Sequence, residues 1–357
     1  MINQMEPWIG EEERSAVDDY LRSGGWLTEF KKTAAFARMV GDYVGSKHCF
    51  ILSNGTVTLY AALIAVGVGP GDEVIVPDYT MIATANAVLL AGAKPVFVDV
   101  SADSLCLDLN LAEAAVTSKT KAIMLVSVNG RAPDIDSAIE LCKKNNLHLI
   151  EDAAQSLGAR WQGKHLGTFG EIGSFSFSAP KIITTGQGGA LVTDDDELAE
   201  KIRQIRDFGR RQSGVDYHLS VGYNFKFTDL QAVIGIEQMK KLEWRVKRKK
   251  EMFVLYHELL TDVEEVTFLP TTDEVPPWFI DVLVPDPARL REYMKQHEIG
   301  SRPFYPVIHS QPAYGWPGAY PNAEFAAQHG LWLPSSSFLT DEQIGKVCGM
   351  IREFFKH

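Results

Sequence analysis

Apolar positions recur along this chain at two spacings, and the changes from one to the other mark out its elements. Glu11 to Arg22 and Ala34 to Val44 have apolar residues at helical spacing, and Ser23-Gly24-Gly25 closes the first. A third helical run, Val57 to Val66, follows the polar turn Ser53-Asn54-Gly55-Thr56. From Glu73 the pattern alternates. Strands are predicted at Glu73–Val76, Pro95–Val100, Ala122–Val128 and Leu147–Glu151, with helices between them at Met81–Ala91, Leu109–Val116 and Ile135–Asn145. Repeated strand–helix units with apolar strands predict a mostly parallel sheet covered by helices on both faces. Ligands of such sheets sit at the carboxyl ends of the strands. Tyr79, Asp152 and Gln155 all fall at such ends.

Two more strands, Ser174–Ser178 and Ala190–Thr193, lead into a helix at Asp194–Arg206. Its three leading aspartates suit the positive end of a helix dipole. A polar, turn-rich stretch around Gly209–Tyr223 follows. One long helical pattern then runs from near Thr228 to about Leu260. After Pro270 the composition shifts. A strand at Trp278–Val284, a helix at Pro287–His297, a strand at Gly300–Phe304 and a helix at Thr340–Phe355 predict a small α+β unit. The expected division is residues 1–245, a large α/β domain, and residues 246–357, a small one, with the first helix a candidate to pack on the smaller domain.

Composition narrows the function classes. The chain is 45% hydrophobic and 23% charged, as ordinary globular proteins are. A net charge of -11 argues against nucleic acid or an anionic membrane as partner. The basic run Lys247–Lys250 reads as a solvated helix face. Four scattered cysteines show no zinc spacing, and no metal site is expected. With no signal pattern and no long apolar run, the protein is expected in the cytoplasm. Gly67-Val68-Gly69-Pro70-Gly71 looks like a dinucleotide loop, but it follows a helix and precedes a strand, the reverse of that motif's context.

Two stretches carry chemistry. Glu151-Asp152-Ala153-Ala154-Gln155 places a carboxylate and an amide just past the apolar run Leu147–Ile150. Ser176-Phe177-Ser178-Ala179-Pro180-Lys181 ends a strand-like run on one lysine and continues into Gly186-Gln187-Gly188-Gly189. An acid at a strand end and a lysine in a turn suit pyridoxal 5'-phosphate, the electron sink of amine chemistry. The turn at Gly55-Thr56 opens a helix, and its backbone N–H groups suit a phosphate.

These motifs resemble the DegT/DnrJ/EryC1/StrS family of sugar aminotransferases. Further support comes from Gly71–Pro77, Gly222-Tyr223-Asn224-Phe225 and Arg302-Pro303-Phe304-Tyr305-Pro306-Val307-Ile308-His309. The resemblance runs from about Trp26 to the C-terminus. It implies a fold type I transferase with a seven-stranded sheet and pyridoxal 5'-phosphate as cofactor. By resemblance, Lys181 is the Schiff-base lysine, Asp152 pairs with the pyridine nitrogen and Gln155 meets the ring's 3' oxygen. Gly55, Thr56 and Ser176 hold the phosphate, and Asn224 reaches the site of a partner subunit, which implies a homodimer with shared sites. Arg302, His309 and Tyr314 are candidates for the nucleotide-sugar side. Three departures stand out. Met81 occupies the usual place of a ring-stacking aromatic, with Tyr79 as the neighbouring alternative. Ser127-Val128-Asn129-Gly130 replaces His-x-Tyr-Gly, and Gln187 stands where Glu is common.

The implied reaction moves an amino group from L-glutamate, or L-glutamine, to a nucleotide-linked keto sugar. The Arg302–His309 tail is similar to that of perosamine-synthase-like members and points to a 4-keto-6-deoxyhexose for a surface polysaccharide such as an O-antigen. A 3-keto sugar is the nearest rival. A sugar dehydratase of this family has His in place of Lys181, and a non-enzymatic regulator has no need of Lys181, Asp152 and Gln155 together.

Overall fold

The computed structural model describes residues 1–212 and 214–356. In chain order the elements are α1 (Glu11–Arg22), α2 (Lys31–Val44), β1 (His48–Leu52), α3 (Gly55–Ala65), β2 (Glu73–Pro77), α4 (Ala83–Leu90), β3 (Lys94–Val98), α5 (Leu109–Ala114) and β4 (Thr120–Val126). They continue with α6 (Ile135–Asn145), β5 (His148–Asp152), the short hairpin β6 (Arg160–Trp161) and β7 (Lys164–His165), β8 (Ile172–Ser176), β9 (Gly189–Thr193) and α7 (Asp196–Arg206). The rest are α8 (Asp229–Lys240), α9 (Leu242–Leu260), β10 (Thr267–Phe268), β11 (Asp281–Leu283), α10 (Pro287–Gln296), β12 (Arg302–Pro303), α11 (Pro321–His329), β13 (Gly330–Trp332) and α12 (Asp341–Lys356).

Seven strands form the main sheet in the order β1-β9-β8-β5-β4-β2-β3. Neighbours from β8 to β3 are parallel, whereas β9 runs antiparallel to both β8 and β1. The central strands are apolar throughout because helices cover both faces. Ile150, Met124, Val76 and Leu191 pack toward α3 and α4 on one side. Leu149, Ile123, Leu125 and Ile75 pack toward α5 and α6 on the other. The turns after β2, β4, β5 and β8 therefore gather along one edge of the sheet, and the candidate residues collect there.

A second sheet, β10-β11-β13-β12, is wholly antiparallel. With α9, α10 and α12 it encloses its own core, which includes Met252, Tyr256, Leu290 and Val347. The segment ahead of α1 joins this core through Ile2, and the Ile2 carbonyl accepts from the Gly300 N–H at 2.7 Å. α1 itself lies against α8. The expected packing of the first helix on the smaller unit thus belongs to the residues just before it.

The long helix expected from Thr228 to about Leu260 is interrupted at Lys241, with φ -98° and ψ -5°. There the Lys241 amine pairs with Glu13 of α1 at 2.8 Å, and Glu13 is fully buried. Strand β1 was not expected, since its five residues run directly into the polar turn read as a helix start. β10, β13 and α11 were likewise missed, and the expected strands at 278–284 and 300–304 are shorter.

Candidate active site

The N-terminus of α3, the C-terminal ends of β5 and β8, the segment ahead of β11, and β12 with the residues just after it enclose a cavity of about 290 Å³. Gly55, Thr56, Met81, Asp152, Gln155, Ser176, Lys181 and Arg302 all line it. Sequence positions 55 to 302 thus converge on one space. A larger cavity of about 440 Å³ lies between α2, β1 and α7. Arg206, Arg203 and Lys47 on its wall pair with Glu29, Glu200 and Asp196, and among the described residues it places no buried lysine beside a buried carboxylate.

Lys181 is buried, and its amine lies 4.0 Å from the centroid of the Trp278 ring. Burial pulls its pKa down to about 8; the charge of Arg302 acts the same way, while Asp152 acts against it. Near neutral pH this leaves a fraction of the amine free of its proton, as a nucleophile needs. Asp152 accepts from the Thr84 hydroxyl at 2.7 Å and from the Ala154 N–H at 3.2 Å. Burial raises its pKa against those hydrogen bonds and the Lys181 charge, so a cationic partner in the cavity would offset the cost. Gln155 accepts the Asn129 N–H on Oε1 at 2.7 Å, which leaves its NH2 to donate toward a ligand.

At the other wall, Asn54 caps α3 by accepting from the N–H groups of Thr56 and Val57, both at 3.0 Å. Gly55 lies against β8 so closely that a Cβ there would meet the Ser176 Cβ at 3.0 Å and its Oγ at 3.1 Å. This close approach puts the helix N-terminus beside the Ser176 hydroxyl. The Thr56 N–H, expected at the phosphate, is held by Asn54, so a phosphate takes it only by displacing that cap.

Arg302 has no carboxylate partner among the described residues. Its guanidinium rests on the rings of Tyr305 at 5.7 Å and Trp332 at 5.5 Å. Met81 lines the cavity and is 42% exposed, whereas Tyr79 is buried against Phe304 and Tyr305. Of the two stacking candidates, only Met81 faces this space. His309 does not line it: Asp78 holds its Nδ1 at 2.6 Å and its N–H at 2.8 Å. Tyr314 packs against Phe97 and donates to Asn86 at 2.8 Å, also away from the cavity. Asn224 is exposed and bridges to Asp207 by its backbone.

Several residues of the site were not singled out from the sequence. Trp278 and Tyr305 line the cavity, and Thr84 supports Asp152. Asn129, at φ 53°, exchanges two hydrogen bonds with the Phe279 backbone, at 2.8 and 2.7 Å, and so ties the sheet edge to the segment carrying Trp278. Tyr305 lay within a quoted motif and Asn129 within the departure Ser127–Gly130, though neither was given a role; Trp278 and Thr84 left no local signal.

Residues 7–352 match the model of the DegT/DnrJ/EryC1/StrS aminotransferase family. The chain belongs to that family. It is 31% identical to GDP-perosamine synthase of Vibrio cholerae, over 99% of both chains. It is 36% identical to GDP-perosamine synthase of Caulobacter vibrioides, over 91% of this chain and 88% of that one. Among solved structures it superposes on Helicobacter pylori PseC, an aminotransferase involved in pseudoaminic acid biosynthesis, with a TM-score of 0.93, 26% identity and 99% of each chain covered.

The protein is therefore a sugar aminotransferase that depends on pyridoxal 5'-phosphate. The cavity fits that cofactor: it offers a buried amine, a buried carboxylate that needs a cation, and a helix N-terminus set by a close glycine contact beside a serine hydroxyl. No helix among the described residues is long and apolar enough to cross a membrane.

Proposed function

We propose that this enzyme moves an amino group from L-glutamate to a nucleotide-linked keto sugar, a 4-keto-6-deoxyhexose, in the making of a surface glycan. The observation that carries this reading is the cavity itself. Lys181, Asp152 and Gln155 line it together with Arg302, an exposed guanidinium without a carboxylate partner among the described residues. Full-length similarity to two GDP-perosamine synthases supports the choice of acceptor.

When bound, pyridoxal 5'-phosphate supplies an aldehyde for the incoming amine and a ring that draws electrons from the adjacent carbon. Asp152 holds the ring nitrogen in its protonated state, where the buried carboxylate gains a cation. The Gly55 N–H and the Thr56 and Ser176 hydroxyls hold the phosphate at the start of α3. With the cofactor bound, the Lys181 amine would anchor it and, once free, would hold and move the proton at the reacting carbon as general acid and base. The same lysine serves both halves of a ping-pong cycle. Arg302 binds an acceptor phosphate by charge-assisted hydrogen bonds. Asn224, exposed and outside its own cavity, completes the site of a second subunit in a homodimer.

The test is the visible absorption spectrum of the purified protein, first alone, then with L-glutamate, then with a panel of nucleotide keto sugars. The expected result is a band that glutamate bleaches and a 4-keto sugar restores. Restoration by a 3-keto sugar alone would overturn the acceptor, and a band insensitive to glutamate would overturn the donor.

A further inference from the structure

Lys181 is not the only buried lysine near this cavity. Lys249, on α9, is 1% exposed and has no acidic partner among the described residues. Its amine donates to the Trp278 carbonyl at 2.8 Å and to the Ser335 carbonyl. Trp278 is held at its other end too, because its indole N–H donates to the Pro180 carbonyl at 2.8 Å. Pro180 directly precedes Lys181, whose amine stands 4.0 Å over the face of that same indole. The two buried lysines thus meet one tryptophan at two points, one at its backbone carbonyl and one over its ring.

We propose that Trp278 is a catalytic platform that holds the free, protonated Lys181 amine on its ring face, and that Lys249 is the positioning residue that fixes the platform. The inference rests on the reading of Lys181 as the cofactor lysine. A ring face attracts a cation and has no comparable hold on a neutral amine. Trp278 therefore favours the proton on Lys181, as does Asp152 at the end of β5. Arg302 and burial favour its loss, and the Tyr305 hydroxyl lines the same wall. The balance matters because the amine must be neutral to take up the cofactor and protonated to return a proton. Lys249 itself is pushed down to about 7 by burial and by nearby Arg245. It has two carbonyl acceptors to satisfy it and no route into the cavity, so its part is mechanical.

The experiment follows the rate at which apo-protein takes up pyridoxal 5'-phosphate, read from the growth of the visible band across pH. Uptake by the native chain should rise with pH and level off above a midpoint near 8. The chain is then made with 5-fluorotryptophan and with a more heavily fluorinated tryptophan, which weaken the ring face with almost no change of shape. The midpoint should fall stepwise, by about half to one pH unit in all. All seven tryptophans are replaced, so the same series is run on Trp278→Phe, where the stepwise fall should vanish. In Lys249→Met the Trp278 backbone loses its anchor, the ring keeps only its Pro180 hydrogen bond and its packing on Phe279, and the steps should shrink, whereas Lys249→Arg, which keeps donors there, should restore them. A midpoint that fluorination leaves in place would overturn the platform. Unchanged steps in Lys249→Met would reduce Lys249 to a structural residue. If the native chain forms no band at all, the Lys181 reading itself fails, and that outcome is distinct from both.

Discussion

Glu151 and Asp152 are adjacent on β5 and both are buried, yet the two faces of the sheet use them differently. Successive strand residues point to opposite faces. Glu151 shares a face with Leu149 and meets only backbone, accepting from the N–H groups of Gly167 at 2.7 Å, Phe169 at 2.6 Å and Gly170 at 2.7 Å. Gly167 has φ +89°, and a Cβ there would meet the Phe175 ring at 2.5 Å, so that loop closes on Glu151 only with glycine. Asp152 faces the other way, keeps one side-chain donor and one backbone donor, and opens on the cavity. A carboxylate saturated by backbone is a structural clasp. One left with capacity to spare beside a lysine is poised for a ligand. Burial alone does not tell the two apart, since it raises both carboxyls above their ordinary range.

Four substitutions test that contrast, from the largest effect on turnover to the smallest. Lys181→Ala removes the group that moves the proton, and kcat should fall about 10²–10⁴-fold, with no covalent band in the spectrum. Asp152→Asn leaves the shape but not the charge. Turnover should fall about 10²–10³-fold while the denaturation midpoint stays level or rises, because a buried charge has gone. If Asp152→Asn lost stability and kept its rate, the two acids would have exchanged roles.

Thr84→Val sharpens the comparison by removing one of the two donors to Asp152. The carboxyl should become harder to ionise, with kcat down about 10-fold and partly regained at higher pH, which a pH–rate profile would show. Glu151→Gln should leave kcat per folded molecule within about twofold. It sets an NH2 against one of three backbone donors, so unfolding free energy should drop by about 1–3 kcal/mol in a urea titration.

The sign of the pH effect on the clasp is also determined. Because the folded state raises the Glu151 pKa, the folded chain keeps a proton that the unfolded chain releases. Stability then falls as pH rises from the ordinary carboxylate range to the raised value. Glu151→Gln should flatten that slope, as measured by urea midpoints across pH.

The period of apolar residues was enough to locate β2 through β5 and the helices between them, because those strands are buried on both faces and each helix must cover one. Lys181, Asp152 and Gln155 were legible for a different reason: their chemistry requires particular residue types at strand ends, and the type itself is the signal. β1 was not legible, since its five residues become a strand only by pairing with β9 from the far end of the domain. The break at Lys241 coincides with the ion pair to Glu13, 228 residues away, which local pattern does not reveal. Thr84, Asn129 and Trp278 acquire their roles through contacts 68, 150 and 98 residues apart in sequence. His309 and Tyr314 lay in or near the motif that named Arg302, but the chain carried Arg302 and Tyr305 into the cavity and committed His309 and Tyr314 to Asp78 and Asn86. Local pattern chooses helix or strand because backbone hydrogen bonding and side-chain period are local. Which buried polar group is left with bonds to spare is decided only when distant segments close on one another and take up the rest.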